Sequence, residues 1–223
     1  MKNKIRDFGL NNIHSFFTTD KVILPFSQLA LPINHKFSEK RLSDFSIGRY
    51  CAIKALEQLG IQDVIIPIGA DRAPIWPEGV VGSISHCDTL VGAIVAKKSE
   101  YISLGLDIEE IGRVTPDLWD LVFTENEKVY LSSLNGRKLE EQSTAIFSIK
   151  EAFYKFQHPL TKTFLDFLEV EVDVPNLSKI KVISDNISLD SIIHKNFVVF
   201  KIENGCVVSV IQSINDLGLK RLA

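Results

Sequence analysis

A pattern that occurs twice limits what this chain can become: a long helical signal followed by several short β-prone runs. The first helical signal begins after Ser38 and covers 41–59, with apolar Leu42, Phe45, Ala52, Ile53, Leu56 and Leu59 at three- and four-residue steps and Gly60 as its stop. Behind it come β-prone runs at 80–86, 90–96 and 103–109. The second signal covers 141–157, where Ile146, Ile149, Phe153 and Phe156 form an apolar stripe and Ser148, Glu151 and Lys155 lie off it. A shorter helix at 124–135 precedes it, and strand signals follow at 168–173, 180–183, 197–202 and 206–212, the last two joined by the hairpin signal Asn204-Gly205. Short strands are expected near 21–24 and 64–66, while Pro67, Pro74 and Pro77 keep the rest of 60–79 irregular. The order predicts an α+β chain of two similar α/β halves, 1–112 and 113–223, divided near Gly112 and Pro116.

Composition narrows the function classes. With 45% apolar and 24% charged residues in 223, the chain can bury a core without disulfide or metal staples. Its 25 basic and 28 acidic residues leave a net charge of −3, which excludes a globally basic nucleic-acid binder. Three cysteines, Cys51, Cys87 and Cys206, lie far apart with no CxxC pair, which argues against a disulfide framework or a cysteine-rich zinc site. The basic stretch 1–7 is not followed by an apolar run, and no run of roughly 18 apolar residues occurs, so no membrane span and a cytoplasmic location are expected.

Several residues could carry chemistry. On a strand, alternate side chains share a face, so Leu104, Leu106 and Ile108 should face the core while Asp107 and Glu109 stand together on the other side. Two carboxylates that close repel unless a cation or water separates them, and hard oxygens suit Mg²⁺ beside phosphate oxygens. The alternative is an edge strand with two solvated acids. Glu151 and Lys155, four apart, share a helix face as a surface salt bridge or as a metal ligand and a phosphate contact. Thr124-x-x-Glu127 is a capping box, which explains Glu127 by helix initiation alone. In Gly82-Ser83-Ile84-Ser85-His86-Cys87, Cys87 reads as a small buried hydrophobe. Arg49 and Arg72 could each meet a phosphate, and Trp76 reads as packing. Lys36, Lys40, Arg41, Arg49 and Lys54 outnumber Glu39 and Asp44 over 36–54, a locally basic stretch on a slightly acidic chain.

Taken in order, Arg-x-Pro-x-Trp-Pro (72–77), Gly-Ser-Ile-Ser-His (82–86), Gly-Leu-Asp-Ile-Glu (105–109), Phe-x-x-x-Glu (123–127) and Phe-Ser-x-Lys-Glu-Ala-x-Tyr-Lys (147–155) are far more specific than any one of them. Over about residues 45–170 the chain resembles the 4′-phosphopantetheinyl transferase superfamily, surfactin-type group, and within it the enterobactin-synthase-associated branch. The resemblance implies transfer of the phosphopantetheine arm of coenzyme A to a serine of an apo acyl, peptidyl or aryl carrier protein, releasing adenosine 3′,5′-bisphosphate. It favours a siderophore-type peptide synthetase carrier over a fatty-acid or polyketide carrier. A Mg²⁺-dependent nucleotide pyrophosphohydrolase using the same acids is the rival reading. By the same resemblance Asp107, Glu109 and Glu151 would hold Mg²⁺, or Mn²⁺ in its place. Glu151, Lys155 and Glu127 would be catalytic, and Arg49, Arg72, Ser85, His86, Lys150 and Lys155 would contact coenzyme A. It also implies halves related by a pseudo-twofold with the site at their interface, and a monomer. Gln157-His158-Pro159-Leu160 departs from the family, many of whose members have a glycine-rich turn there.

Overall fold

The computed structural model describes residues 10–29, 31, 37–183 and 196–215; the basic stretch 1–7 and Lys36 lie outside them. In chain order the elements are β1 (His14–Thr18), α1 (Phe26–Leu29), α2 (Glu39–Gln58), β2 (Val80–His86), β3 (Val91–Lys97), β4 (Tyr101–Glu110), α3 (Trp119–Val122), α4 (Glu125–Ser132), α5 (Gly136–Thr161), β5 (Val170–Val172), β6 (Ile180–Val182), β7 (Asn196–Glu203) and β8 (Cys206–Ile214). The fold is mixed α/β. There are two three-stranded antiparallel sheets, ordered β1-β3-β2 and β4-β8-β7, and a separate small β5-β6 pair.

Each long helix forms for local reasons and then buries one face. The Ser38 side chain caps α2 by accepting from the Arg41 N–H at 3.3 Å. Its inner face, Ile47, Cys51, Ala52, Ala55 and Leu56, packs on Val91, Ala93 and Val95 of β3. In α5 the expected stripe of Ile146, Ile149, Phe153 and Phe156 is fully buried against Val207 and Ile211 of β8 and against β5, each side chain contributing about 1.5–3 kcal/mol before entropic costs. The helix runs one turn past its expected end and stops at Lys162, whose φ of 56° is left-handed. Pro159 sits in that last turn, where the one helical bond it cannot donate, to the Lys155 carbonyl, is tolerated. Asn204 (φ 53°) and Gly205 (φ 80°) make the expected tight turn between β7 and β8.

The strand at 101–110, inside the expected first half, makes a long-range pairing. It pairs with β8, more than ninety residues downstream, with Asp107 opposite Ser209 and Glu109 opposite Val207. By sheet membership β3, which ends at Lys97, and β4, which begins at Tyr101, therefore fall in different sheets. Both faces of β4 are covered. Leu104, Leu106 and Ile108 join Val208, Val210, Phe17 and Ile94 in a cluster shared by the two sheets, and the opposite face lies on α5. The free edge of β4 is closed by serines of β2: Ser83 Oγ accepts from the Leu106 N–H at 2.9 Å and Ser85 Oγ from the Ile108 N–H at 3.2 Å.

Three shorter expectations also differ. Residues 21–24 form no strand, because the Leu24 N–H donates to Ser46 Oγ at 2.7 Å, and the strand lies earlier, where Phe17 is buried. Residues 64–66 form none because the Ile66 carbonyl accepts from Arg49. The run at 168–173 begins as a 3₁₀ turn capped by Asp166 before β5.

Candidate active site

The two sheets meet α5 at one point. Gly105 on β4 faces the Ala152 carbonyl so closely that a Cβ there would lie 1.9 Å from that oxygen. One strand step beyond sits Asp107, and one helical turn beyond Ala152 sits Lys155. Lys155 Nζ donates to Asp107 Oδ1 at 2.6 Å and to Ser85 Oγ at 3.0 Å. Ser85 Oγ already accepts from Lys155 and from Ile108, so its own hydrogen points to Asp107 Oδ1, 3.0 Å away. Residues of β2, β4 and α5 are thereby locked into one charge-assisted triangle. Asp107 is 2% exposed, and its second oxygen, Oδ2, is buried without a hydrogen-bond partner.

The neighbouring acids respond to this field. Burial and then the Asp107 charge push the Glu109 carboxyl up to about 7, against the pull of Lys155 and Arg113. Burial and Asp107 also raise Glu151, partly offset by Lys155. Among the described residues no three His, Cys, Asp or Glu side chains form a ready-made metal centre. The donor set nevertheless fits a hard cation: an orphaned carboxylate oxygen at Asp107 beside two acids whose carboxyls are pushed up first by burial and then by the Asp107 charge.

Around the triangle run three open cavities. One of about 550 Å³ is lined by Arg72, Trp76, Ser83, Tyr154, Lys155 and His158, among others. Arg72 stands exposed in the turn before Trp76, with a left-handed φ of 64°. A second cavity, about 380 Å³, is bordered by Lys40, Arg41, Asp44, Phe45, Arg49 and His86, and is rich in positive charge. Arg49 is nearly buried there, its guanidinium 4.4 Å from the Phe45 ring centre and its Nε donating to the Ile66 carbonyl at 2.9 Å. Burial lowers its pKa to about 10, which leaves it charged at neutral pH. The third, about 130 Å³, reaches Glu109, Glu110, His86 and Cys87.

Two expected site residues lie elsewhere. Lys150 is 2% exposed and spends all three ammonium hydrogens, on Glu127 Oε2 at 2.7 Å, the Val122 carbonyl at 2.8 Å and the Phe167 carbonyl at 3.0 Å. Glu127, fully buried, completes the capping box with Thr124 and accepts from the Val172 N–H at 2.7 Å. Its carboxylate is a strut inside the C-terminal half and not a base at the surface. Lys155 in turn pairs with Asp107, not with Glu151 as the helix spacing suggests. The serine caps of β2 on β4 carried no sequence signal.

Comparison with known proteins agrees with the motif order. Residues 32–96 match the family described as 4′-phosphopantetheinyl transferase N-terminal domain, and residues 103–211 match the 4′-phosphopantetheinyl transferase superfamily. The gap between them falls where the sheets divide. The chain belongs to the 4′-phosphopantetheinyl transferase superfamily. It is 38% identical over 136 residues to 4′-phosphopantetheinyl transferase Svp of Streptomyces mobaraensis, covering 60% of this chain and 55% of that protein. With enterobactin synthase component D of Escherichia coli it shares 36% identity over 131 residues, 57% of this chain and 61% of the relative. The matched region thus spans little more than half the length of these relatives. A holo-(acyl-carrier-protein) synthase of Bacillus anthracis in complex with CoA (3′,5′-ADP) superposes with a TM-score of 0.40 at 20% identity, covering 52% of this chain and 99% of that one. No described helix is long and apolar enough to cross a membrane.

Proposed function

We propose that this protein transfers the 4′-phosphopantetheine arm of coenzyme A to a serine of an apo carrier protein, releasing adenosine 3′,5′-bisphosphate. The observation that carries the reading is the Lys155–Asp107–Ser85 triangle, set between a basic cavity and a larger pocket at the junction of the two sheets. Lys155 is held by two partners and is 29% exposed toward the larger pocket, so its charge is fixed in advance where a phosphate can meet it. Arg49 and His86 in the basic cavity suit the 3′-phosphate of coenzyme A, and Arg72 on the other side suits the remaining phosphates or the arm.

In the transfer the serine oxygen attacks the phosphorus that bears the pantetheine, and the pyrophosphate P–O bond breaks. Glu151, with its raised pKa, takes the serine proton; Lys155 Nζ balances the charge on the leaving oxygen. Asp107, Glu109 and Glu151 would hold Mg²⁺ or Mn²⁺, which when bound neutralises the pyrophosphate. The halves are read as related by a pseudo-twofold, and the protein as a cytoplasmic monomer. A siderophore-type carrier is favoured by the resemblance to the enterobactin branch and by the name of the Escherichia coli relative. The test is intact-protein mass of a panel of apo carriers after incubation with this protein, coenzyme A and Mg²⁺, with an EDTA control. A phosphopantetheine-sized gain lost with EDTA supports the reading and ranks the carriers; coenzyme A cleavage with no gain on any carrier favours a hydrolase.

A further inference from the structure

Two of the three cysteines stand much closer than their positions in the chain suggest. Cys87, in the turn after β2, and Cys206, the first residue of β8, are 119 residues apart, yet their sulfurs are 3.7 Å apart. Thr89 Oγ1 lies 3.5 Å from the first sulfur and 3.4 Å from the second. Cys87 is half-buried on the wall of the cavity that also reaches His86, Glu109 and Glu110, and Cys206 lies buried behind it. We propose that Cys87 and Cys206 are a dithiol site that low-molecular-weight disulfides oxidise to an intramolecular disulfide, tying the β2–β3 turn of one sheet to β8 of the other.

The geometry needs little movement. The sulfurs must close from 3.7 Å to about 2.05 Å, within reach of small side-chain rotations at a turn and a strand end. The order of events follows from access and acidity. Cys87 is the reachable sulfur, and the hydrogen bond with Cys206, helped by Thr89, lowers its pKa despite partial burial. The same contact, together with burial, raises that of Cys206. The Cys87 thiolate attacks one sulfur of the small disulfide, forming a mixed disulfide and expelling one thiolate. Cys206 Sγ then attacks Cys87 Sγ, the mixed S–S bond breaks, and the second departing thiolate takes the Cys206 proton. Two protein thiols are oxidised to one disulfide, and the small disulfide is reduced to two thiols. In the β4–β8 ladder Cys206 stands opposite Glu110 and Val207 opposite Glu109, so the new bond braces the rim of the acidic cluster. Cys51 is a built-in control: fully buried, its thiol pushed up to about 12 by burial.

The test uses the reduced full chain treated with glutathione disulfide, followed by thiol titration, intact mass and peptide mapping. The three free thiols should fall to one, with a cross-linked peptide pair containing Cys87 and Cys206 and no added glutathione. The thermal midpoint of the oxidised protein should rise by roughly 5–10 °C, because the bond closes a very long loop. Cys206→Ser should stop at a single glutathione adduct on Cys87 without the rise in midpoint, and Cys87→Ser should stay unmodified. Three thiols retained in the native chain, or a stable glutathione adduct on Cys87 with Cys206 still free, would overturn the proposal.

Discussion

Glu127→Gln turns the buried Glu127–Lys150 pair into a buried ammonium without its counter-ion. In the native protein the carboxylate accepts from Lys150 Nζ and the Thr124 N–H through one oxygen and from the Val172 N–H through the other. An amide offers a single acceptor oxygen, so its NH₂ must face either Lys150 or the Val172 N–H, donor against donor. Both side chains are shielded from water, and breaking such a pair costs about 3–5 kcal/mol. For a chain of this length each kcal/mol moves the thermal midpoint by about 2–4 °C, so a fall of roughly 6–20 °C is expected. Thermal and urea melts give the stability, and the rate of holo-carrier formation, measured well below the melt, gives the activity of the folded fraction. That rate should stay within a few fold of the native one. The double variant Glu127→Leu/Lys150→Met should recover much of the lost stability and retain transfer, since an apolar pair of similar volume removes the uncompensated charge. A Glu127→Gln protein that melts like the native one but has lost transfer would refute the structural assignment and return Glu127 to catalysis.

Other perturbations separate the remaining roles. Gly105→Ala forces a Cβ to 1.9 Å from the Ala152 carbonyl, so α5 must retreat by about 1 Å or more. Stability should fall by about 3 kcal/mol in urea melts and transfer by about 100-fold as Lys155 leaves Asp107; native behaviour would mean the close approach does not set the site. Asp107→Asn should slow holo-carrier formation by at least about 100-fold while the far-ultraviolet spectrum is unchanged, and near-native rates would remove Asp107 from the chemistry. Arg49→Lys should weaken coenzyme A roughly tenfold more than 3′-dephospho-coenzyme A in binding titrations; equal weakening would take Arg49 off the 3′-phosphate. Alkylation of Cys87 by iodoacetamide should already be rapid at neutral pH, below the range of an ordinary thiol, while Cys51 stays inert, its thiol pushed up to about 12. A rise only above pH 8 would contradict the sulfur contact.

What could be read from the chain divides along physical lines. Local signals carried through: the Ser38 and Thr124 caps, the Asn204-Gly205 turn and the apolar stripe of α5 all act within a few residues. The burial of Lys150 was also open to inspection, since it lies four residues after Ile146 and three before Phe153, on the stripe itself. The pairing of β4 with β8 was not, because register between strands a hundred residues apart is decided by packing on both faces and has no local code. The same holds for Lys155. Its helix neighbour Glu151 was visible in sequence, but its partner Asp107 comes from another layer, brought near by the missing side chain of Gly105. The Cys87–Cys206 contact depends on that same long-range pairing.

The most direct test of the transfer itself is to follow adenosine 3′,5′-bisphosphate release and carrier mass in one reaction with apo carrier, coenzyme A and Mg²⁺, for the native protein and for Lys155→Met. The native protein should release one nucleotide for each carrier that gains a phosphopantetheine on serine, and Lys155→Met should slow both together by at least about 100-fold. Nucleotide release without the matching gain on the carrier, or an unchanged rate in Lys155→Met, would contradict the assignment of this site to phosphopantetheinyl transfer.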